Sequence, residues 1–398
     1  MSKITFLGFP IAKDDIHPGV HVSGNRMQNG LVEALYEDYG DALSVLSVYP
    51  VASFPKTKTV IVKSGRFSLD CGIKAKRIGF INVFILKQIT QAFNVYRALK
   101  ECIRKNAADL VVCFNPYWIF AEPLFRIRAK SLKRVCIIAD IPVTVPASYH
   151  ALKRCLRRYE IKNYYKTIKK FDGLIVLNRE VSKEFAPELP YVVMDGGVTQ
   201  EETQLQPLPC EEHDWKQILF TGALEPYNCV QEIIEAFLAA DVDGSKLIIC
   251  GFGTMADYVK EVAEKHPSID YLGAVSNEKA KDLQRSSGLL MNIRSPDQYA
   301  MRLTFPSKVI EYMLSGTPVL TTKINGLGED YLQNMFVTEG SVTAIAEKIR
   351  EICQIPIERR AIKAARAREF IINNKRYQKH CKRIIPFLEN EIIRGAQS

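Results

Sequence analysis

Lys308 and Glu311 lie three residues apart in the segment FPSKVIEYMLSGTPVL, residues 305–320. Ser307 is a good N-terminal cap for a helix, and Gly316 is a typical helix end. The N–H groups at a helix start and the Lys308 ammonium both attract anions, so this segment predicts binding of a diphosphate. Glu311 lies one turn further along the same face, where its carboxylate can accept hydrogen bonds from sugar hydroxyls.

The same two residues also have a simpler interpretation. On an ordinary surface helix, Lys308 and Glu311 would form an ion pair between positions i and i+3, worth ~0.2–0.5 kcal/mol. Spacing alone leaves the ligand site and the plain ion pair equally open.

Glycine turns follow two strand-like runs nearer the middle of the chain. Gly222 follows the run ILFT and would let a phosphate approach the backbone at the carboxyl end of a strand, where open α/β sheets bind ligands. Gly251 and Gly253, in the run CGFG, follow the next strand. They could begin a dinucleotide-binding fingerprint, but its third glycine is missing. These turns could also be plain connections between a strand and a helix.

The elements that must position these residues alternate between strand and helix, which predicts an α/β fold with parallel sheets and crossover helices. A chain of 398 residues is long enough for two domains, and 47% hydrophobic residues exclude wholesale disorder. The polar, proline-bearing segment 199–214 is the best candidate for a linker. We therefore predict two Rossmann-like domains, at residues 1–198 and 199–358, followed by a basic helical tail at 359–398 that could pack back on the first domain.

Nothing in the sequence has the spacing of a metal site. The six histidines are isolated, and Asp241 and Asp243 form a D-x-D only in a turn between a helix and a strand, at the wrong end of the sheet. The ten cysteines are scattered without a C-x-x-C pair and are typical of reduced core residues in a cytosolic protein. Patterns of nucleic-acid-binding modules are also missing.

The segment 305–320 resembles the donor-site signature of GT-B glycosyltransferases of the retaining family 4 type, in particular a bacterial polysaccharide subgroup with the pattern FPSK-x-x-EY-x-x-SGTPV. The resemblance implies a GT-B fold, with two Rossmann-like doubly wound domains facing a cleft. It implies transfer of a hexosyl unit from a nucleoside diphosphate sugar, with retained configuration, no cofactor and no metal. In that family the residue aligned with Glu311 holds the ribose.

The resemblance also assigns roles to other residues of the second half. Arg294 stands where the subgroup has an arginine, and we predict that Arg294 and Lys308 stabilise the diphosphate in catalysis together with Glu311. The predicted nucleotide-sugar-binding residues are Gly222, Gly251, Gly253, Leu272, Ser307 and Glu311. Departures from the family are Glu225, Pro226 and Asn228, where many members have an Arg and a Lys, and Leu303, where many have a Glu.

The predicted acceptor-side residues lie in the first half. The polar loop 17–26, which contains Gly19, corresponds to the family's acceptor-side loop. Asn115 and Asp140 come directly after strand-like runs, so they would face the same cleft if the sheet is parallel.

The net charge of +10 is concentrated in two stretches of the first half. Residues 74–105 contain eight Lys or Arg and one acid, Glu101, and residues 153–170 contain eight and one acid, Glu160. A helix predicted over 79–105 carries an apolar stripe on one face, formed by Ile81, Ile85, Ile89, Phe93, Tyr96, Leu99 and Ile103. The opposite face carries the polar residues Lys87, Gln91, Asn94 and Lys105. This helix could pack its stripe in the core, or the basic region could dock on anionic lipid.

We favour membrane docking for the first domain as a whole. The sequence contains no apolar run of 18 residues and no signal peptide, so we expect a cytoplasmic protein, peripheral on the inner face of the plasma membrane. Its acceptor would be a lipid-linked or oligosaccharide chain in the synthesis of cell-surface glycan. Two other functions stay open: a GT-B nucleotide-sugar epimerase, and a non-catalytic nucleotide-sugar-binding partner.

Overall fold

The computed structural model describes residues 2–15, 22–70, 72–106, 108–142, 151–295 and 299–395. The chain divides into two compact units, unit 1 (Met1–Gly197 with Tyr377–Ser398) and unit 2 (Val198–Arg376). The boundary between Gly197 and Val198 lies one residue before the predicted boundary.

Unit 1 is an α/β unit built on a mostly parallel sheet. Its strands are β1 (Ile4–Gly8), β2 (Leu43–Val48), β3 (Ile61–Val62), β4 (Gly65–Ser68), β5 (Lys74–Ile78), β6 (Phe80–Ile81), β7 (Leu110–Phe114), β8 (Lys133–Ile138), β9 (Gly173–Val176) and β10 (Tyr191–Val193). Its first helices are α1 (Val22–Tyr39), α2 (Leu86–Asn106), α3 (Trp118–Arg126), α4 (Ala151–Ile168) and α5 (Arg179–Phe185).

The main sheet of unit 1 has the order β10-β9-β8-β7-β1-β2-β5-β4. Neighbouring strands are parallel except β4 and β5, which are antiparallel, and β3 pairs with β6 in a separate antiparallel ribbon. Phe6 of β1 lies between Val45 and Val112 of the neighbouring strands, and all three are buried. Such continuous apolar strands are expected where helices cover both faces of a parallel sheet.

The segment 79–85 is not helical, in contrast to the helix predicted over 79–105. Residues Phe80–Ile81 form β6, and α2 begins only at Leu86. The buried Asn82 holds this segment in an extended path, because its side-chain N–H groups donate to the carbonyls of Ala52 and Thr59, both at 2.8 Å. Periodicity along the chain could not reveal these distant acceptors.

Unit 2 is a second parallel α/β unit, with β11 near the middle of its sheet. The strands are β11 (Asp214–Thr221), β12 (Lys246–Cys250), β13 (Ile269–Gly273), β14 (Ser287–Asn292), β15 (Val319–Thr322) and β16 (Phe336–Thr338), in the order β13-β12-β11-β14-β15-β16. The helices are α6 (Gln200–Gln204), α7 (Val230–Ala240), α8 (Ala256–Lys265), α9 (Asn277–Ser286), α10 (Tyr299–Leu303), α11 (Lys308–Ser315), α12 (Glu329–Leu332), α13 (Val342–Gln354) and α14 (Ile357–Asn374).

The segment 199–214 is folded within unit 2. Thr199 begins α6 with a capping box, in which its side chain accepts from the Glu202 amide and the Glu202 carboxylate accepts from the Thr199 amide. The buried Arg368 of α14 donates to the carbonyls of Thr203, Leu205 and Leu314. This guanidinium ties the segment to the rest of the unit.

The basic tail is divided between the two units. Helix α14 belongs to unit 2, whereas α15 (Tyr377–Pro386) and the following π-helix (Phe387–Arg394) belong to unit 1. Tyr377 fills the space beside Gly30 and Gly197, where an added Cβ would lie 2.2 and 2.6 Å from its ring. The tail therefore closes the core of unit 1 with apolar side chains.

Among the described residues, no helix is long and apolar enough to cross a bilayer.

Candidate functional site

Three turns meet at the carboxyl edge of the unit 2 sheet. The amide of Gly222, after β11, donates to the Cys250 carbonyl at 3.0 Å. The amide of Gly251, after β12, donates to the Gly273 carbonyl of β13 at 2.8 Å, and Leu224 donates to Phe252 at 2.8 Å. The structure thus joins the turns that contain Gly222, Gly251 and Gly253 into one hydrogen-bonded layer.

Packing within this layer explains two of the glycines. A Cβ on Gly251 would lie 1.8 Å from the Gly222 carbonyl oxygen, and a Cβ on Gly253 would lie 2.4 Å from the Leu224 oxygen. Gly222 is different, because its added Cβ would meet only the Phe220 ring, at 3.4 Å. Close backbone neighbours thus require glycine at 251 and 253, whereas the space beside Gly222 is limited only by the Phe220 ring.

The start of α11 differs from the predicted capped helix. Ser307 holds the N-cap position, but its backbone is helical and its side chain makes no capping hydrogen bond. The amides of Ser307, Val309 and Ile310 donate to the carbonyls of Phe305, Pro306 and Ser307. These backbone hydrogen bonds occupy N–H groups that we expected to be available to an anion. The positive charge at this helix start therefore comes chiefly from side chains.

Lys308 and Glu311 form an ion pair with 2.7 Å between Nζ and Oε2. Their side chains are only 26% and 18% exposed, so the pair is more shielded than an ordinary surface pair. Burial raises the pKa of the Cys250 thiol to about 11, and the ammonium groups of Lys279 and Lys308 oppose this shift. Lys308 therefore acts electrostatically at the end of β12, beside the glycine turns.

Arg294 is held at the end of β14 by two partners. Its backbone N–H and carbonyl both bond to the buried Thr322 hydroxyl, at 2.9 and 2.8 Å. Its guanidinium donates to the side-chain oxygen of Asn228, whose Nδ2 donates to the Ala223 carbonyl at 2.6 Å. Burial lowers the pKa of Arg294. Asn228 thus connects this cation to the turn that contains Gly222.

Tyr312 of α11 contacts the end of β11. Burial raises the pKa of its hydroxyl, which is therefore neutral at neutral pH, and the nearby Lys308 ammonium opposes this shift. The hydroxyl is fixed at the end of β11, since it accepts from the Thr221 amide at 2.9 Å and donates to the Thr221 carbonyl at 3.0 Å. This contact fixes α11, which begins at Lys308, against the carboxyl end of β11. From the sequence, the position of Tyr312 in an apolar helical pattern indicated only a core residue.

The rim of this edge carries an acid and exposed apolar side chains. Glu225 accepts from the amide and the hydroxyl of Thr254, at 3.1 and 2.7 Å, so this carboxylate joins the loops that follow β11 and β12. Leu272 in β13 and Phe252 after β12 are both exposed. Leu272 directly precedes Gly273, whose carbonyl accepts from Gly251 in the glycine layer.

A second polar cluster lies at the carboxyl ends of β7 and β8 in unit 1. Asn115 is buried in the left-handed region with φ 56°, a conformation that asparagine tolerates. Its Nδ2 donates to the Tyr117 hydroxyl at 3.1 Å and to Asp140 at 3.4 Å, and its Oδ1 accepts from the amides of Ala139 and Asp140. The structure therefore brings Asn115 and Asp140 together, as their positions after neighbouring strands predicted.

Two tyrosines that the sequence analysis missed complete this cluster. The Tyr117 hydroxyl donates to Asp140 at 3.3 Å, and the Tyr164 hydroxyl donates to the Asp140 carbonyl. Burial raises the pKa of both tyrosines, so they remain hydroxyl donors at neutral pH. Asp140 is itself exposed and can accept a further hydrogen bond. Gly19, the third predicted acceptor-side residue, lies outside the described residues.

Within the described ranges, no group of three or more His, Cys, Asp or Glu side chains could hold a metal ion. Asp241 ends α7 with φ 47°, in the turn that precedes β12. This turn is at the opposite edge of the sheet from the glycine layer.

Comparison with known proteins assigns this architecture to a known fold. Residues 215–354 match the family model for glycosyl transferases group 1. Sucrose-phosphate synthase from Thermosynechococcus elongatus has a similar structure, with a TM-score of 0.69 and 14% identity over 100% of both chains. No curated protein matches the chain in sequence.

Two further solved structures have the same fold. A glycosyltransferase from Rickettsia africae gives a TM-score of 0.65 at 16% identity, over 98% of each chain. HepE from Anabaena, solved in complex with UDP, gives 0.60 at 17% identity, over 97% of this chain and 99% of that protein. The family match of unit 2 and the GT-B fold of the whole chain together support a GT-B glycosyltransferase.

Proposed function

We propose that the protein is a retaining, metal-independent hexosyltransferase of the family 4 type, which uses a nucleoside diphosphate sugar as donor and needs no cofactor. The observation that carries this proposal is the position of two cations: Arg294 is hydrogen-bonded through Asn228 to the turn that contains Gly222, and Lys308 begins α11, which Tyr312 holds against the end of β11. Open α/β sheets bind ligands at this edge, and two cations suit a diphosphate.

The proposed chemistry follows from where charge develops. As the bond between the sugar and the diphosphate breaks, negative charge grows on the leaving diphosphate. Arg294 and Lys308 would stabilise that charge, and the hydrogen bond from Arg294 to Asn228 supports this role because it orients the guanidinium. Glu311 would hold the ribose, and its ion pair with Lys308 keeps both side chains at the same end of α11.

The acceptor is assigned to unit 1. Asp140 is exposed, so its carboxylate can accept from sugar hydroxyls, and the Tyr117 hydroxyl, which donates to it, holds that carboxylate in place. We propose a lipid-linked or growing oligosaccharide acceptor in cell-surface glycan synthesis, reached by a peripheral protein on the cytoplasmic face of an anionic membrane. The basic helices of unit 1 support this location.

A donor screen followed by a transfer assay tests the proposal. Because HepE was solved with UDP, UDP sugars are the first compounds to test for protection against thermal unfolding, followed by GDP, ADP and dTDP sugars. The protective sugar, radiolabelled at the anomeric carbon, should then be transferred to membrane-extracted glycolipid with release of the nucleoside diphosphate. Protection by none of these sugars would refute the donor site.

A non-catalytic nucleotide-sugar-binding protein is the second candidate. It is favoured by the fact that both cations already have partners, Asn228 for Arg294 and Glu311 for Lys308. Protection by a nucleotide sugar without transfer or hydrolysis would support this candidate. Interconversion of two sugar epimers would instead indicate an epimerase.

A further inference from the structure

Unit 1 carries a cluster of exposed apolar side chains that the donor and acceptor sites do not use. We call this cluster the apolar surface; its members are Phe54, Val60, Ile61, Ile81, Phe84, Ile85, Leu86, Ile89 and Phe93. Phe84 is 76% exposed, Ile85 63% and Phe93 60%. A concentration of large exposed apolar side chains in one segment marks an interaction surface, whereas single ones need no explanation.

Buried polar contacts hold the apolar surface in a fixed shape. Ile61 and Ile81 are direct partners in the antiparallel ribbon of β3 and β6. The next residue, Asn82, is buried, and its amide donates to the Val60 carbonyl at 2.7 Å. Phe54 in turn donates its amide to the Asn82 carbonyl at 2.9 Å. The exposed side chains therefore project from a well-connected backbone.

The backbone at Ile85 indicates that this exposure has a function. Ile85 has φ 67°, a left-handed conformation that is a genuine outlier for a β-branched residue. It lies in the turn that leads into α2, between the exposed Phe84 and Leu86. Strain of this kind persists where the surrounding structure requires it, and it clusters at functional sites.

The predicted apolar stripe of α2 is only partly exposed: Ile89 and Phe93 are exposed, whereas Leu99 is buried. The residues that pack inward are Gln91, Ala92, Val95, Ala98, Leu99 and Cys102. The exposed face begins with Leu86, Ile89 and Phe93 and continues, at spacings of three and four, with Arg97, Lys100 and Arg104. Apolar side chains thus occupy the first half of this face, and cations occupy the second.

Two lysines that the sequence placed on the basic face do not contribute freely to it. The Lys87 ammonium donates to the Val51 carbonyl, and burial lowers its pKa. Lys105 pairs with Glu101 at 2.7 Å. On α2, the cations that accompany the apolar surface are therefore Arg97, Lys100 and Arg104.

We propose that the apolar surface inserts into the headgroup and acyl boundary of an anionic bilayer, while Arg97, Lys100 and Arg104 contact the lipid headgroups. An apolar face buried ~5–10 Å deep beside a cationic face is the usual arrangement of proteins that lie in a membrane interface. The inference rests on the membrane location in the proposed function and deepens it, because binding then depends on apolar insertion as well as on charge.

Charge identifies the occupant of the surface as lipid. Residues 51–100 contain ten Lys or Arg and a single acid, Asp70, so the partner is expected to be anionic. A second copy of the chain would place cations against cations across the contact. A bilayer with anionic headgroups satisfies the cations and the apolar side chains together.

Vesicle binding tests the inference directly. The probe is a set of sedimenting vesicles of phosphatidylcholine, with and without 40% phosphatidylglycerol, mixed with the full chain. The test variant combines Phe84→Ser, Ile89→Ser and Phe93→Ser. The matched control is Ile362→Ser, which changes an exposed apolar side chain of unit 2. A second variant combines Arg97→Glu, Lys100→Glu and Arg104→Glu.

The expected result has two parts. The apolar variant should lose at least tenfold in vesicle partitioning at every salt concentration, whereas wild-type protein should keep part of its binding at 0.5 M salt, where exposed charges are largely screened. The charge variant should lose binding chiefly on vesicles that contain anionic lipid. The Ile362→Ser control should bind as the wild type does.

Three outcomes would overturn the inference: wild-type protein that ignores the anionic vesicles, an apolar variant that binds as the wild type does, or a dimer that the apolar variant dissociates. Protection by the donor nucleotide against thermal unfolding is measured in parallel for every variant. This readout depends on unit 2, so it separates failure of the membrane surface from failure of the proposed donor site or of folding.

Discussion

The guanidinium of Arg294 is hydrogen-bonded to the side-chain oxygen of Asn228. Asn228 stands where the resemblance to family 4 glycosyltransferases places a cation. Because its Nδ2 is fixed by the Ala223 carbonyl, Asn228 orients Arg294 toward the turn after β11. The neutral side chain of Asn228 therefore positions Arg294, a cation that follows β14.

Replacing Arg294 tests its role against that of its partner. Arg294→Ala should lower kcat by about two orders of magnitude, as the loss of a charge-stabilising donor commonly does. Asn228→Ala should lower it only about tenfold, because the cation remains but loses the group that orients it. Steady-state kinetics with the protective donor measure both. Arg285→Ala, in an exposed ion pair with Asp282, serves as the control. Equal activity of Arg294→Ala and wild type would remove Arg294 from the site.

The ion pair of α11 should separate catalysis from binding. Lys308→Ala should lower kcat about 100-fold, since the charge acts on the leaving diphosphate. Glu311→Ala should chiefly raise KM for the donor, because it removes a contact that is made before and during the reaction. Lys323→Ala provides the comparison, in a fully exposed pair with Glu329. If both α11 variants behave like that control, the pair is only structural.

The same two cations predict that turnover does not depend on a metal ion. Turnover should be unchanged after treatment with EDTA, because Arg294 and Lys308 supply the charge that a metal ion would supply otherwise. The assay compares initial rates before chelation, after chelation, and after Mg²⁺ or Mn²⁺ is added back. An absolute requirement for either ion would contradict this prediction.

Two glycines of one layer should respond differently to alanine. Gly251→Ala should destabilise the protein by ~1–3 kcal/mol or more, because its Cβ would lie 1.8 Å from the Gly222 oxygen. Gly222→Ala should fold normally, since its Cβ meets only the Phe220 ring, but it should bind nucleotide about tenfold more weakly. Thermal unfolding with and without nucleotide measures both effects. Unimpaired nucleotide binding by Gly222→Ala would show that no phosphate approaches that turn.

The acceptor cluster of unit 1 should affect a different kinetic constant. Asp140→Asn should raise KM for the acceptor about tenfold, as expected when the charged acceptor for a sugar hydroxyl is lost. Tyr117→Phe should raise it by a smaller factor, because it removes only the hydroxyl that holds this carboxylate. KM for the donor should not change. Asp41→Asn, an exposed position before β2, is the matched control. An unchanged acceptor KM in both cluster variants would place the acceptor elsewhere.

The sequence by itself determined the alternation of elements and most strands of both units. The apolar residues 110–114 and 247–250 are buried in parallel sheets, where continuous hydrophobicity is a local and sufficient signal. It also indicated which residues follow strand ends, and this brought Asn115 close to Asp140. These properties depend on a few neighbouring positions along the chain.

The tertiary structure alone decided which groups have partners and which face of a helix is buried. Asn82 keeps the residues before α2 extended, because its side chain donates to the carbonyls of Ala52 and Thr59, more than twenty residues away in the chain. The stripe of Ile89 and Phe93 is exposed because other residues of α2 fill the core. Tyr312 joined the site through a hydroxyl that reaches Thr221, ninety-one residues away in the chain. Contacts over such distances are set by packing, which no local period encodes.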